Sequence, residues 1–279
     1  MQKKHFKLLS EVETLWSLLM YIDSHSHWSD PRWNQTEDDL KILLRKSIDK
    51  KISFFLQGGV SPSEWQKQKE IKKLFPDHIG LSFGLHPYYV ASHDDDECED
   101  ALDLLAHELP LAMALGETGL DFRPHIMQDS MVRQIDVFEN QIELAKAFAK
   151  PLILHIVQAH DKALQVLDVW GVPPRKGMVH AFTGSFETAK KYIDRGFLIS
   201  VGGAVTYDKN SKLLDCIQKI PLEFLLLESD CPDQAPAGWA GLNESTALWP
   251  IAEKIALIRG RSVLDILEIS TSNFKRLFR

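Results

Sequence analysis

The stretch Tyr21–His27, "YIDSHSH", decides how the rest of the chain is read. A short apolar run passes into two histidines one residue apart. Side chains alternate faces along a strand, so His25 and His27 share one face and Ser26 takes the other. Two imidazoles on one face, at the end of a buried strand, can hold one metal ion from two sides. An isolated His-x-His pair is more often a matter of plain packing, so the remainder of the chain has to discriminate.

Outward from this stretch the sequence falls into a rhythm. Eight apolar runs follow one another: "MYIDSH", "ISFFLQGG", "IGLSFGLHP", "LAMALGETGL", "PLILHI", "GMVHAF", "FLISVGG" and "LEFLLLESD". Between them lie stretches of helical periodicity such as "EDDLKILLRKSIDKK" and "MVRQIDVFENQIELAKAFAK", and two last helices are predicted over about 247–259 and 263–278. Near-continuous apolar strands separated by helices imply parallel strands covered on both faces. Eight such units without a break in composition predict an α/β fold, a single (β/α)8 TIM barrel spanning residues 20–279. The alternative, an open doubly wound sheet, is weakened because no Gly-x-Gly-x-x-Gly follows the first run. Ahead of the barrel, Leu8, Val12, Leu15 and Leu19 fall at helical spacing, which predicts an amphipathic helix in an extension over residues 1–19. Glu11 and Glu13 interrupt its apolar part and no small-residue cleavage site follows, so a secretory signal is not expected.

A barrel carries its chemistry at the C-terminal ends of its strands. Six of the eight runs end in a histidine or carboxylate: His25 and His27, His86, Glu117 with Asp121, His155, His180, and Glu228 with Asp230. Such residues on buried strands are costly unless paired or bound to metal. Four imidazoles (His25, His27, His155, His180) and two carboxylates (Glu117, Asp230) suit zinc, manganese or iron, and admit magnesium at an oxygen-rich position. Six ligands exceed the need of one tetrahedral ion. Two ions sharing a carboxylate fit better, with Glu117 of the middle strands as the bridge.

The 279-residue chain is 44% apolar and 25% charged with net charge −7, so no global basic field attracts nucleic acid. A phosphate-bearing substrate would need local positive charge from metal ions or a few side chains. Cys98, Cys216 and Cys231 are scattered, without Cys-x-x-Cys spacing, which suits a reducing, cytoplasmic setting. Cys231 follows the outward-turning rhythm beside Asp230 and is expected to pack rather than ligate. No apolar run reaches membrane-span length, and no obligate protein partner is implied.

The pieces "IDSHSH", "GLHPYY", "ALGETGLDF", "PLILH", "VHAFTGS", "VGG", "LLLESDCPDQAP" and "NFKRLF" run in order through nearly everything from Tyr21 to Phe278. In them the chain resembles the TatD family of metal-dependent hydrolases, within the amidohydrolase-like barrels. The resemblance implies that His25, His27, Glu117 and Asp230 surround one metal ion, and that Glu117, His155 and His180 surround a second. It implies that His86 lies near the substrate phosphate, that Glu228 stands behind a ligand, and that Asn243 belongs to the loop after strand eight. Members are described as deoxyribonucleases, including 3′-to-5′ exonucleases, that use magnesium or manganese and are sometimes crystallised with zinc. The chain departs from the family pattern in three places. The arginine often found two residues after the fifth-strand histidine is Val157 here, the asparagine loop continues "NESTAL" without proline, and residues 1–19 precede the usual start. His160 and Lys162 could supply charge near Val157, but on a following helix exposure is the plainer expectation.

The function expected is divalent-metal-dependent hydrolysis of phosphodiester bonds at DNA ends, with Asp230 as ligand and proton acceptor. The same barrel and ligands can serve a small ester, lactone or amide substrate, which is the alternative.

Overall fold

Each of the eight apolar runs holds a strand, none passing the run's C-terminal end by more than a residue, in the computed structural model, which describes residues 21–33 and 36–279. They are β1 (Tyr21–Ser26), β2 (Ile52–Gln57), β3 (Ile79–Gly80, resuming after Leu81 as Ser82–Phe83) and β4 (Ala114–Asp121). There follow β5 (Leu152–Val157), β6 (Gly177–Val179), β7 (Leu198–Val201) and β8 (Leu225–Leu227). Neighbours pair in parallel and in chain order, with the ladder interrupted at Leu81 inside β3. There the Leu81 carbonyl still accepts from Met113 N–H at 2.8 Å, so the sheet continues across the interruption. The first and last strands meet just beyond β8. Asp230 N–H donates to His25 carbonyl at 3.0 Å, and His27 N–H to Cys231 carbonyl at 2.8 Å. These bonds join the edges into the expected (β/α)8 barrel. The helix expected over residues 1–19 lies outside the described residues.

The covering helices are α1 (Glu37–Asp49), α2 (Pro62–Leu74), α3 (Pro87–Ser92), α4 (Asp95–Glu108), α5 (Pro124–Met127) and α6 (Met131–Ala147). The rest are α7 (His160–Trp170), α8 (Phe186–Ile193), α9 (Ser211–Lys219), α10 (Leu248–Arg259) and α11 (Val263–Leu277). Their starts follow local chemistry. Proline, whose missing N–H costs nothing in a first turn, opens α2, α3 and α5. Asp94 and Glu97 form a reciprocal capping box on α4. Among the described residues no helix is long and apolar enough to cross a membrane. The three cysteines are free and buried, with Cys231 Sγ 3.8 Å from Ser245 Oγ and away from the strand-end carboxylates.

Two apolar layers result. The larger lies between the strands and the helices. The smaller fills the barrel and consists of Ile22, Phe54, Leu56, Ala114, Ile153, Met178, Leu198 and Leu226, with Phe274 of α11 closing the floor. On β5 the alternation is explicit: Ile153 points inward at the floor, and His155 and Val157, two and four residues on, share its side. Apolar residues fill the lower barrel, and polar ones are left for its mouth.

Phe274 is fully buried and its ring lies 5.9 Å from that of Phe54. Phe274→Ala is expected to destabilise the fold by about 3–5 kcal/mol, read as a lower denaturant midpoint at unchanged slope. A loss under about 1 kcal/mol would mean the floor is not plugged by this ring.

Candidate metal centre

Two local slips in strand pairing aim the key side chains. Along β1 the register with β2 passes from Asp23↔Phe55 to Ser26↔Gln57, so three steps on one strand match two on the other. Such a bulge re-aims side chains. The consecutive residues Ser24 and His25 both reach inward: Ser24 Oγ lies 2.9 Å from Ser200 Oγ, and His25 Nε2 lies 3.1 Å from Glu117 Oε1. On β4 the register slips again, from Leu115↔Leu152 to Thr118↔Leu154, at the turn of chain that presents Glu117. Gly116 makes this possible. Its φ is +154°, and a Cβ there would lie 2.6 Å from Ile153 Cβ. Glu117 N–H is then fixed by Gly59 carbonyl at 2.7 Å.

Glu117 sits between two sets of donors. Its Oε1 lies 3.1 Å from His25 Nε2 and 3.2 Å from His27 Nε2. Asp230 Oδ1 completes that set at 3.2 Å from His27 Nε2 and 3.7 Å from His25 Nε2. Glu117 Oε2 faces the other way, 2.9 Å from His180 Nε2 and 3.5 Å from His155 Nδ1, and those two nitrogens are 3.1 Å apart. Ligand atoms around a tetrahedral ion with bonds near 2.05 Å lie roughly 3.3 Å from one another. Both sets have about that spacing and imidazole–carboxylate chemistry that suits divalent ions, and His86 with Glu117 and His155 makes a further group of ligand type. The residues present therefore fit metal.

The electrostatics follow from crowding. Burial alone would raise the Glu117 carboxyl, but His180, His25 and His27 around it hold it well below the usual carboxylate range. Burial disfavours charge on His27 and His180 as well, yet Glu117 keeps both well above an ordinary imidazole. Asp230 is also lowered: burial opposes its charge, but the His27 hydrogen bond and nearby imidazoles prevail. Its backbone takes the left-handed φ of +54°, where aspartate is among the better-tolerated residues, and Gln234 Nε2 donates to its Oδ2 at 2.6 Å.

Behind the donors stands a supporting layer. Asp121 Oδ2 lies 3.2 Å from His155 Nε2, the nitrogen turned away from Glu117. Glu228 accepts from Ala181 N–H and from Ser200 O–H, both at 2.5 Å, and its Oε1 is 3.7 Å from His180 Nδ1. At that distance it acts on the ring through charge rather than a hydrogen bond. Asp23 takes the N–H and O–H of Ser229 at 2.8 and 2.5 Å, tying β1 to the end of β8, and burial pushes its carboxyl up to about 7. His86 accepts from Tyr88 N–H at Nδ1 (3.0 Å), so its proton sits on Nε2, which points at Glu117 Oε2 from 3.7 Å. Burial and the neighbouring His155 keep that ring neutral.

Every strand-end residue singled out in the sequence thus reaches one cavity mouth or the layer behind it. The other candidates do not. His160 Nδ1 contacts Tyr192 Oη at 3.2 Å, and Lys162 Nζ reaches Gln165 at 3.4 Å, neither lining the cavity. Asn243 is a loop staple, its Nδ2 donating to the carbonyls of Ser229 (2.7 Å) and Asp233 (2.6 Å). Sequence reasoning assigned no role to Asp23, Asp121, Tyr88 or Arg123. Asp121 and Arg123 had a visible signal, since both follow Glu117 in "GETGLDFR" at the end of a strand.

The cavity over the donors measures about 770 Å³ and is bounded by the loops that follow the strands. Comparison with known proteins places this arrangement in context. The sequence profile of the family described as TatD related DNase matches residues 22–279. The chain is 32% identical over 275 residues to a metal-dependent hydrolase of Buchnera aphidicola, covering 93% of this chain and 99% of that protein. It is 31% identical over 252 residues to the 3′-5′ ssDNA/RNA exonuclease TatD of Erwinia billingiae, covering 88% and 95% respectively. The crystal structure of YjjV, a TatD homologue from Escherichia coli, superposes with a TM-score of 0.82 at 28% identity, over 93% of this chain and 98% of that one.

Gly58 leaves the space in which the first histidine pair sits: a Cβ there would lie 2.5 Å from His27 Cε1 and 2.7 Å from His25 Nε2. Gly58→Ala is expected to displace those rings and weaken metal binding about 10- to 100-fold, with little loss of secondary structure. Elemental analysis after dialysis against graded metal checks this, and unchanged occupancy would remove the pair from the binding set.

Proposed function

The chain belongs to the TatD-related DNase family of metal-dependent hydrolases, and from that premise we propose that it is a deoxyribonuclease that trims single-stranded DNA ends from the 3′ side. The observation that carries this reading is Glu117, whose two oxygens face two separate donor sets at 3.1 and 2.9 Å. In this reading His25, His27, Glu117 and Asp230 hold one divalent ion, and Glu117, His155 and His180 hold the other. Magnesium, manganese and zinc are the candidates, and the imidazole-rich donors favour the latter two. Ions bound there would supply Lewis acidity, easing deprotonation of water and offsetting charge on phosphate oxygens.

The chain's own residues do the rest. Asp230 accepts the proton of the attacking water, its Oδ1 facing the imidazoles and its Oδ2 fixed by Gln234. His86, neutral and protonated at Nε2, donates toward the phosphate rather than binding metal. Glu228 and Asp121 orient His180 and His155. The barrel from residue 20 onward carries this chemistry, with residues 1–19 as an added segment, and the buried thiols suit a reducing, cytoplasmic compartment.

The relative from Erwinia billingiae is named an exonuclease on single-stranded DNA and RNA, which supports a strand end as substrate. A second reading, hydrolysis of a small neutral ester, lactone or amide, is favoured by the lining itself. Asp30, Glu64, Glu117, Asp230 and Asp233 all border the cavity, and burial pushes Glu64 up to about 7. Metal-free protein reloaded with each ion, then assayed on a labelled single-stranded oligonucleotide and on an ester panel, separates the two.

Two variants test the mechanism. Asp230→Asn keeps size and packing but cannot take a proton, so turnover should fall about two to four orders of magnitude while most metal remains. Glu117→Gln removes charge from the bridge and should lower metal content together with activity. Near-normal turnover in Asp230→Asn would sink the assignment of the base. Ligation also needs neutral imidazoles, yet His27 and His180 hold protons well above their ordinary pKa in the metal-free protein. Metal uptake at pH 7 should therefore release protons, and affinity should climb as pH rises toward those raised values. A pH-stat titration that showed no release would contradict the ligand set.

A further inference from the structure

Arg123 is the one lysine or arginine among the described residues that line the cavity. Five carboxylates share that lining, so a substrate phosphate meets an acidic wall except at this point. The nearby rim arginine is spent: Arg32 gives Nε and Nη2 to Asp30 and Nη1 and Nη2 to Asp233. Arg123 is anchored differently. Nε donates to Asp121 at 3.0 Å and Nη2 to both Asp121 and Tyr88 Oη, while Nη1 donates to none of the described residues. Its side chain is 32% exposed. The anchor Asp121 is the in-register neighbour of Val157 and contacts His155, so the guanidinium stands over the His155 side of the donor cluster.

Tyr88 lies beside it. The guanidinium carbon is 5.2 Å from the Tyr88 ring centroid, and the ring, 44% exposed, packs against His86 at 4.6 Å. One flank of the cavity mouth therefore offers an unengaged guanidinium N–H pair and an open aromatic surface side by side. A phosphate with a planar ring a few bonds away matches both, and a bare ester matches neither.

We infer that Arg123 and Tyr88 form the subsite for the terminal nucleotide, with Arg123 Nη1 on its phosphate and its base stacked on Tyr88. The inference rests on the phosphodiesterase reading for its substrate class and adds the residues that recognise the strand end. Arginine N–H groups grip phosphate strongly, and stacking on an aromatic ring tolerates any base. Sequence-tolerant binding of the strand end follows.

The test is calorimetric titration of the metal-loaded protein with dTMP and with deoxyribose 5-phosphate, alongside oligonucleotide kinetics and metal analysis. Arg123→Met should weaken both ligands about 10- to 100-fold, and Arg123→Lys should recover part of that loss. Tyr88→Ala should weaken dTMP about 5- to 100-fold and leave deoxyribose 5-phosphate within about 3-fold. Metal content should stay at the wild-type level in all three. If Arg123→Met binds dTMP normally, or loses affinity only in step with metal, Arg123 merely braces Asp121 and His155 and the inference is overturned. Wild-type protein that binds dTMP through Arg123 but cleaves no oligonucleotide would refute the proposed activity and leave the subsite standing. Wild-type cleavage with KM unchanged in Arg123→Met would do the reverse, and wild-type protein that neither binds dTMP nor cleaves would end both.

Discussion

Everything at the mouth of the barrel is organised around keeping one carboxylate ionised where water scarcely reaches. Glu117 is almost entirely buried, and an isolated carboxylate there would take up a proton. Five imidazoles within 3.7 Å of its oxygens, His86 among them in its neutral form, alter that balance. The structure invests heavily in holding it: a bulge in β4, a glycine that no other residue could replace at Gly116, and a backbone bond from Gly59. The donors it faces come from strands on opposite sides of the barrel, β1 on one side and β5 and β6 on the other. Their convergence depends on every intervening strand keeping its place.

Much of this was legible in the residues. The eight strands match the eight apolar runs, none passing a run's C-terminal end by more than a residue, because burial on both faces leaves a strand little choice but continuous hydrophobicity. The ligand-type residues stood out because imidazoles and carboxylates are costly at the ends of such runs. The aim of individual side chains was less legible. His25 and His27 share a face as alternation requires, but Ile22 and Ser24 point inward too, and alternation from Ile22 would have turned both histidines outward without the bulge between Asp23 and Ser26. A bulge arises from how two strands pair, and neither strand announces it alone. The roles of Asp121, itself noted at a strand end, and of Asp23 were hidden for another reason. Each acts through a partner far along the chain, His155 and Ser229, and no local spacing records such a contact.

Val157 illustrates how position and chemistry separate. A valine beside the donor cluster leaves no charge on its own strand, and the residues next in sequence, His160 and Lys162, turn elsewhere. The neighbouring strand brings Asp121 to the same level, and Arg123 with it. Asp121 and Val157 are partners in the ladder, so the two strands reach the cavity mouth at the same height. A charge absent from one strand can thus stand on the next.

The edges of the barrel meet through Asp230 N–H with His25 carbonyl and His27 N–H with Cys231 carbonyl, reinforced by Asp23 and Ser229, which lie 206 positions apart. Contacts of such separation close a very long loop, and topologies built on them fold more slowly. Here the residues that fasten the two edges are also the ones whose side chains present His25, His27 and Asp230 to a common point. An ion held by the proposed ligands would act as a clasp on the join between the first strand and the last. An ion bound to the proposed ligands would favour the closed barrel by mass action, so occupancy would raise the stability of the fold as well as serve its chemistry. Amide exchange at His27 and Asp230 would register that clasp directly, slowing with metal far more than amides of β6, which lies away from the join.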